Sequence, residues 1–518
     1  MKWTFQQWSH GRWVPSNKVG WLACGVALAV ALASFSVGYF TTVSDGGEAH
    51  HTRIAKGFYM AGKRVPHNPA VKMENVPSDQ FYYTDVLWPL LLSKLWLLAG
   101  QPSQTLAQLY QATWLFALLM GLYHLSRLYY DPWESLLAMG LAISIPMVPA
   151  FGTLFLVTIP AMALTVWSLY AAHKLKRWPW VFVLGLLLGG IYLTKRLNGA
   201  FFPGIALIGL VATREGWQKR LAKLAVVAII AAALIAIDLD YRSEHFNSLT
   251  TKKHKKPEAY SVSNVDILTK ETAGNVYVHD SLVRWKDALM HIGPFLPLAL
   301  VLYILGRRYE WRDMIFAGLA AFYTTACLVF FLRFSHVWED PRYYLPSFVL
   351  ITVPAAKGLK RLWRWRFGRI GLLICGILAL VQLILVFQEI HKRRQLPTDM
   401  EEAYKYIRES LPDDGKVFLC NGYGLELHTG RVSTIGSVRP RIFFQPSTSW
   451  ETRARVLDEL NIGYIICRED CIYDDRKDQI IWNRSAGMPR SFFEALKQLT
   501  NYELIFKNDS IAIWKVRK

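Results

Sequence analysis

The chain has 518 residues, of which 53% are hydrophobic and 19% charged, and its formal net charge is +20. Its apolar residues are gathered in blocks such as 21–40, and about 20 apolar residues suffice to cross the hydrocarbon core of a bilayer. The composition therefore excludes an ordinary soluble protein. The positive charge does not indicate nucleic-acid binding, because most Lys and Arg lie in short loops between apolar blocks, which is a signal of membrane topology.

Taken in order, the chain begins with a basic tail and a first apolar block at 19–40. A polar stretch, 41–63, follows at once, and a shorter apolar block comes at 86–99. The other apolar blocks lie at 104–126, 134–150, 154–172, 178–193, 198–213, 222–238, 289–305, 313–332, 343–357 and 369–388.

The block at 86–99 decides the predicted topology. If it does not cross the membrane and the N-terminus is cytoplasmic, the short inner segments carry twenty Lys and Arg and the short outer loops carry four. Counting this block as a span reverses the bias, against the positive-inside rule. Its length also suits a helix that lies in the membrane surface.

The sequence therefore predicts a polytopic α-helical membrane protein with about eleven transmembrane helices and one interfacial helix. Residues 1–394 form the membrane domain, whose long outer loops are 41–85 and 239–288. Residues 395–518 form a small soluble α/β domain on the outer face. We expect a multi-pass protein of the cell inner (plasma) membrane with a cytoplasmic N-terminus and an extracytoplasmic C-terminal domain.

The predicted C-terminal domain has helices at 397–411 and 450–460 and a hairpin at 502–516, in which Asn508 and Asp509 make the turn. It contains no nucleophile motif, phosphate loop or zinc spacing. Its three cysteines permit one disulfide in an extracytoplasmic domain, and the sequence does not select the pair among Cys420, Cys467 and Cys471.

Four cations lie in outer loops that are otherwise poor in positive charge: Lys195, Arg196, Arg333 and Arg342. Cations held at the outer membrane surface suit the phosphate of a lipid carrier, because Arg binds phosphate oxygens in pairs and Lys binds them as a point charge. The alternative for each is snorkelling to lipid headgroups. Arg342 has a further alternative, an ion pair with the acidic residues at 339–340.

The polar stretch after the first span carries a cluster of ionisable side chains. One interpretation makes Asp45 the N-cap of a surface helix, with Glu48 at its third position. A metal site formed by Glu48 with His50, His51 and His67 is not expected, because the spacing matches no known ligand pattern. We expect these histidines to be surface residues.

Three segments resemble the GT-C fold of polyprenyl-phosphate-dependent glycosyltransferases, which include protein O-mannosyltransferases and the aminoarabinose transferase acting on lipid A. The segment at 44–62, SDGGEAHHTRIAKGFYMAG, resembles the first outer loop of that family, where an Asp follows the first span. The segment at 83–100 resembles its interfacial segment, and EDPRYYLPSFVLITVPAAKGL at 339–359 resembles its late PRYLLP element. The chain departs from the family at 158–160, where Thr-Ile-Pro stands in place of an acidic Thr-Asp pair.

The resemblance implies an inverting glycosyltransferase that moves a sugar from a polyprenyl-phosphate carrier to a glycan, lipid or protein acceptor. It singles out Asp45 as the catalytic base. Arg342 would then hold the lipid phosphate with Lys195, Arg196 and Arg333, and the first outer loop would contribute Glu48, His50 and Arg53 to donor or acceptor binding.

No cofactor is expected. A divalent metal stays open but is not favoured, because a phosphate leaving group held by fixed cations needs none. Apart from the sugar carrier and its acceptor, the expected partners are membrane lipids. Two other classes remain open from sequence: a transporter or flippase of a lipid-linked or anionic substrate, and a non-catalytic membrane scaffold.

Overall fold

The computed structural model describes residues 18–39, 51, 52, 55, 59, 86–212, 215–246, 292–305, 310–334, 343–363, 366–419, 424–431, 449–459, 461–468, 472–473, 488–489, 494 and 496–517. Up to residue 394 the described chain is almost wholly helical. The helices are α1 (Lys18–Tyr39), α2 (Leu87–Ala99), α3 (Gln104–Ser126), α4 (Pro132–Ile143), α5 (Met147–Thr153), α6 (Thr158–Ala172), α7 (Trp178–Thr194), a 3-10 helix (Arg196–Phe201), α8 (Phe202–Ala212), α9 (Trp217–Phe246), α10 (Phe295–Leu305), α11 (Trp311–Phe334), α12 (Leu345–Trp363) and α13 (Arg366–Arg394).

Within the described ranges, four helices are long and apolar enough to cross a membrane. They are α1, α3, the part of α9 up to Asp240 and the central part of α13. The bent pair α4 and α5 would make a fifth crossing if it is counted as one span. The number of eleven crossings stays a prediction. At 13 residues, α2 is about 20 Å long, which is short of a bilayer core and agrees with a surface position.

The segment predicted as one span at 134–150 is broken in the structure. Helix α4 ends at Ile143, α5 begins at Met147, and the two axes differ by 69°. Pro146 stands at the N-cap of α5, and proline has no N–H to continue the hydrogen bonding of a preceding helix. Length and hydrophobicity alone did not reveal this break.

Close helix packing at the interface of α7 and α9 depends on glycine. A Cβ placed on Gly185 would lie 2.7 Å from Cβ of Ile230, and one on Gly189 would lie 2.6 Å from Cδ1 of Leu234. Small residues spaced by four let membrane helices approach closely. This interface holds α7 against α9. It thereby also positions the link at Lys195 that follows α7.

The end of the helical bundle that the charge pattern assigns to the cytoplasm is joined by ion pairs. Lys360 near the end of α12 bonds to Asp131 and, at 3.1 Å, to Glu134. Asp131 and Glu134 also form a capping box at the start of α4. Lys357, one turn earlier, lies 2.8 Å from Asp313 of α11. These contacts fix α12 between α4 and α11.

The C-terminal region contains both helices and strands. Its elements are α14 (Thr398–Glu409), β1 (Val417–Leu419), α15 (Gly424–Thr429), α16 (Trp450–Glu459), β2 (Ile462–Arg468), β3 (Ile472–Tyr473), β4 (Met488–Pro489), β5 (Tyr502–Lys507) and β6 (Ile511–Val516). The main sheet has the order β1-β2-β6-β5, with β1 parallel to β2 and the other pairs antiparallel.

An amphipathic helix and a hairpin build the core of this region. Helix α14 buries Met400, Ala403 and Ile407, at the spacing of one helical face, and these side chains pack in one cluster with residues of β1, β2 and β6. The predicted hairpin is confirmed as β5–β6. In its turn, the side-chain oxygen of Asn508 accepts the backbone N–H of Ile511 at 2.9 Å.

Cys467, on β2, carries a free thiol that is buried in the sheet. Burial raises the pKa of this thiol above its usual value. A disulfide through Cys467 is therefore absent from the structure. The other two candidates, Cys420 and Cys471, lie outside the described residues.

Candidate functional site

Lys195 occupies the sharp link between α7 and the 3-10 helix. Its backbone is extended, with φ −158° and ψ 99°, which ends α7 and turns the chain toward α11. The residue is only 9% exposed, and its Nζ lies 4.9 Å from the ring centroid of Tyr343. Tyr343 directly follows Arg342 in the sequence. The structure thus places Lys195 beside the residue that follows Arg342 in the sequence.

Arg196 points in a different direction from Lys195. Its guanidinium lies 4.9 Å from the ring centroid of Tyr192 and 3.9 Å from a carboxylate oxygen of Asp238. Asp238 is 1% exposed on α9, and it forms an ion pair with Arg196. Sequence reasoning missed Asp238. The signal was an acidic residue within the apolar run IAIDLDY, which indicates that its carboxylate has a cationic partner.

A buried chain of hydrogen bonds supports the link that carries both cations. The hydroxyl of Tyr323 on α11 donates to the side-chain oxygen of Asn198 at 3.1 Å. The amide nitrogen of Asn198 donates to the hydroxyl of Thr165 on α6 at 3.2 Å. Phe201 stacks on Tyr323 with ring centroids 4.4 Å apart. Helices α6 and α11 therefore hold the 3-10 helix, and with it the position of Lys195.

The first outer loop is described at four positions, His51, Thr52, Ala55 and Tyr59, all of them helical. His51 is 7% exposed and its ring lies 6.0 Å from that of Trp88 on α2, so the expectation that it is a surface residue was wrong. Its burial follows from packing: Ala55, one turn later, joins the cluster formed around the tryptophans of α2. The described residues of the loop therefore lie against α2.

A second polar cluster lies where α1, α5 and α13 end. Gln108 of α3 donates from its side-chain nitrogen to the carbonyl of Thr153 at 3.1 Å and to that of Ser34 at 3.3 Å. Arg394, the last residue of α13, donates to the carbonyl of Thr153 at 2.8 Å and to the side-chain oxygen of Gln108 at 3.3 Å. Sequence reasoning missed this cluster, although a glutamine in the apolar helix α3 was a detectable signal.

The other site residues predicted from sequence are not placed by the structure. Arg333 belongs to α11, but its side chain lies outside the described residues, as does the whole of Asp45, Glu48, His50, Arg53 and Arg342. Their roles stay predictions. Among the described residues no group of three or more His, Cys, Asp or Glu side chains is arranged to hold a metal ion, and metal binding by the first outer loop is untested.

Comparison with known proteins gives a family match to part of the chain and structural matches that cover most of it. A family model described as dolichyl-phosphate-mannose-protein mannosyltransferase matches residues 86–237. The apo structure of ArnT from Cupriavidus metallidurans has a TM-score of 0.60 at 12% identity, covering 96% of this chain and 97% of that chain. The structure of the same enzyme bound to undecaprenyl phosphate has a TM-score of 0.56 at 13% identity, covering 96% and 98%.

The apo oligosaccharyltransferase from Archaeoglobus fulgidus has a TM-score of 0.54 at 12% identity and covers 88% of this chain and 70% of that chain. The chain has the GT-C fold. This confirms the fold expected from the sequence resemblance. In this GT-C fold the region matched by the family model runs from α2 into α9 and includes Lys195 and Arg196. No individual protein of curated function matches the sequence.

Proposed function

We propose that the chain is an inverting glycosyltransferase that transfers a sugar from a polyprenyl-phosphate carrier to an acceptor at the outer face of the membrane. The observation that carries this proposal is the approach of Lys195 to Tyr343. It places a largely buried cation beside the segment that contains Arg342. Together, Lys195 and Arg342 would supply the charge needed to bind a lipid phosphate.

The proposed reaction is a single displacement at the anomeric carbon of the sugar. Asp45 accepts the proton of an acceptor hydroxyl or amine while that oxygen or nitrogen forms the new bond to carbon. The bond between the anomeric carbon and the phosphate oxygen breaks, and its electron pair leaves with polyprenyl phosphate. Lys195 and Arg342 stabilise the charge that grows on this phosphate, and no metal or organic cofactor takes part.

The other two cations and the loop residues have lesser proposed roles. Arg196 forms an ion pair with Asp238, so we assign it to the edge of the phosphate site. We assign Arg333 to the same edge. The first outer loop also carries Glu48, His50 and Arg53, which follow Asp45 in the sequence. These residues would contact the sugar or the acceptor.

The comparisons support the choice of substrate. One fold relative was solved with undecaprenyl phosphate bound, and the matched family model describes a transferase that uses dolichyl-phosphate mannose. The charge pattern supports an inner-membrane protein with a cytoplasmic N-terminus and an outer C-terminal domain. The acceptor is a glycan, a lipid or a protein.

Replacing Asp45 with Asn tests the assignment of the base. Asn is nearly the same size but does not take up a proton, so D45N should lose sugar transfer while the protein folds and still binds the lipid donor. The matched control is D131N at the opposite end of the bundle, which removes a carboxylate of α4 and should keep transfer. Transfer by D45N at the wild-type rate would refute the role of Asp45.

A further inference from the structure

The C-terminal ends of three helices meet around one buried guanidinium. Arg394 is 1% exposed, although arginine is rarely buried without strong partners. It binds the last carbonyl of α5 through Thr153 and lies 5.1 Å from the ring centroid of Phe155. Helix C-termini carry partial negative charge. A single cation therefore compensates helix ends that would otherwise repel one another, and α13 is fixed to α5 at this point.

Gln108 connects this guanidinium to the end of α1. Its side-chain oxygen accepts from Arg394, and its side-chain nitrogen donates to the carbonyl of Ser34. The hydroxyls of Ser34 and Thr153 are 2.9 Å apart and also bond to each other. Gly38, in the last turn of α1, has no side chain, and a Cβ there would overlap the amide of Gln108. The cluster therefore requires a glycine at this position.

The cluster lies at the ends of the two helices that lead into the first outer loop and into the C-terminal region. Helix α1 ends at Tyr39, directly before the outer loop that carries Asp45, and α13 ends at Arg394, directly before the C-terminal region. Both chain segments thus leave the membrane domain from a single polar cluster. Within it, Gln108 bonds to Ser34 near the end of α1 and to Arg394 at the end of α13.

We propose that Arg394, Gln108 and Gly38 are positioning residues that fix the start of the first outer loop relative to the phosphate site and to the C-terminal region. This inference rests on the proposed transferase activity. None of the three residues touches the reacting atoms. They act by holding the loop, so their loss slows the chemical step without removing the cations that bind the donor.

The test compares R394Q, R394K and G38A with wild type, using purified protein in detergent and a polyprenyl-phosphate sugar as donor. A small displacement of a catalytic group costs on the order of 100-fold in rate, so R394Q and G38A should lower kcat by about that factor. The KM for the donor should stay within about twofold and the pH profile should keep its shape, because the base and the phosphate site are unchanged. R394K keeps the charge without the two-pronged contact and should recover part of kcat.

The matched control is K360Q, which removes a cation that joins helices at the opposite end of the bundle. It should lower the thermal unfolding temperature without lowering kcat. G38A keeps Arg394 intact, so it still decides the question if R394Q does not fold. The inference is overturned if G38A keeps wild-type kcat, or if K360Q loses kcat to the same degree. Activity of D45N would instead refute the proposed base and leave the structural cluster as it is.

Discussion

Lys195→Met should weaken binding of the lipid phosphate without unfolding the protein. Methionine retains the length of the side chain and its contact with the ring of Tyr343 but has no charge. In the wild type the ammonium lies 4.9 Å from that ring centroid in a site that is 9% exposed. A cation–π contact of this kind contributes about 0.5–2 kcal/mol to stability, so the variant should remain folded.

The expected loss of phosphate binding follows from the charge. Two unit charges 4 Å apart attract by about 4 kcal/mol at an effective dielectric constant near 20, and desolvation offsets part of this. Hydrogen bonds to charged groups contribute about 1.5–3 kcal/mol in net terms. Because about 1.4 kcal/mol corresponds to a factor of ten in Kd, K195M should bind undecaprenyl phosphate about 10- to 140-fold more weakly.

Isothermal titration of the purified protein with undecaprenyl phosphate measures this difference. Undecaprenol, which has the same chain and no phosphate, should bind wild type and K195M equally. The matched residue control is K174M, because Lys174 also lies over a tyrosine, Tyr170, at 5.4 Å, but in the link between α6 and α7 at the other end of the bundle. Wild-type phosphate affinity in K195M, or an equal loss of undecaprenol binding, would refute the reasoning.

Three further predictions concern the fold that supports the site. Gly189→Leu should destabilise the protein by about 1–3 kcal/mol, because the new side chain overlaps Leu234. The control is Gly25→Ala, which should leave thermal unfolding unchanged because nothing lies within 4 Å of a Cβ at that position. Tyr323→Phe should cost about 1–3 kcal/mol in unfolding free energy, because Asn198 loses its buried donor, and an unchanged melting temperature would contradict this. Burial alone would raise the pKa of Asp131, but hydrogen bonds from Lys360 and the backbone of α4 outweigh it and hold that pKa below its usual value. The stability that Asp131 provides is therefore present above about pH 4 and lost as the pH falls through its lowered pKa. Between these pH values, D131N should lose less thermal stability than the wild type.

The apolar pattern of the sequence predicted the main helices and the C-terminal hairpin. Long apolar blocks such as the one that became α1 leave the chain few alternatives in a membrane. The turn at Asn508 was predictable because its side chain bonds to the backbone two and three residues on. The break between α4 and α5 was missed, because both halves are equally apolar and only Pro146 marks the boundary.

The candidate site was only partly predictable from sequence. Lys195 attracted attention because positive charge is disfavoured in outer loops, and the structure places it beside Tyr343. The groups that hold its link across the bundle, Asp238, Tyr323 and Thr165, come from distant parts of the sequence, and no local pattern joins them. Arg394 was overlooked because it is the last residue of a basic run, HKRR. Nothing in that run indicates that its side chain is buried against Gln108.

Sugar transfer from a lipid phosphate can be measured directly. Purified protein in liposomes is supplied with a radiolabelled polyprenyl-phosphate sugar and with cell-envelope extract as the source of acceptor, and both the release of polyprenyl phosphate and the anomeric configuration of the product are recorded. We expect release that depends on Asp45 and a product of inverted configuration. Retention of configuration, or movement of intact donor across the membrane without release of polyprenyl phosphate, would contradict it.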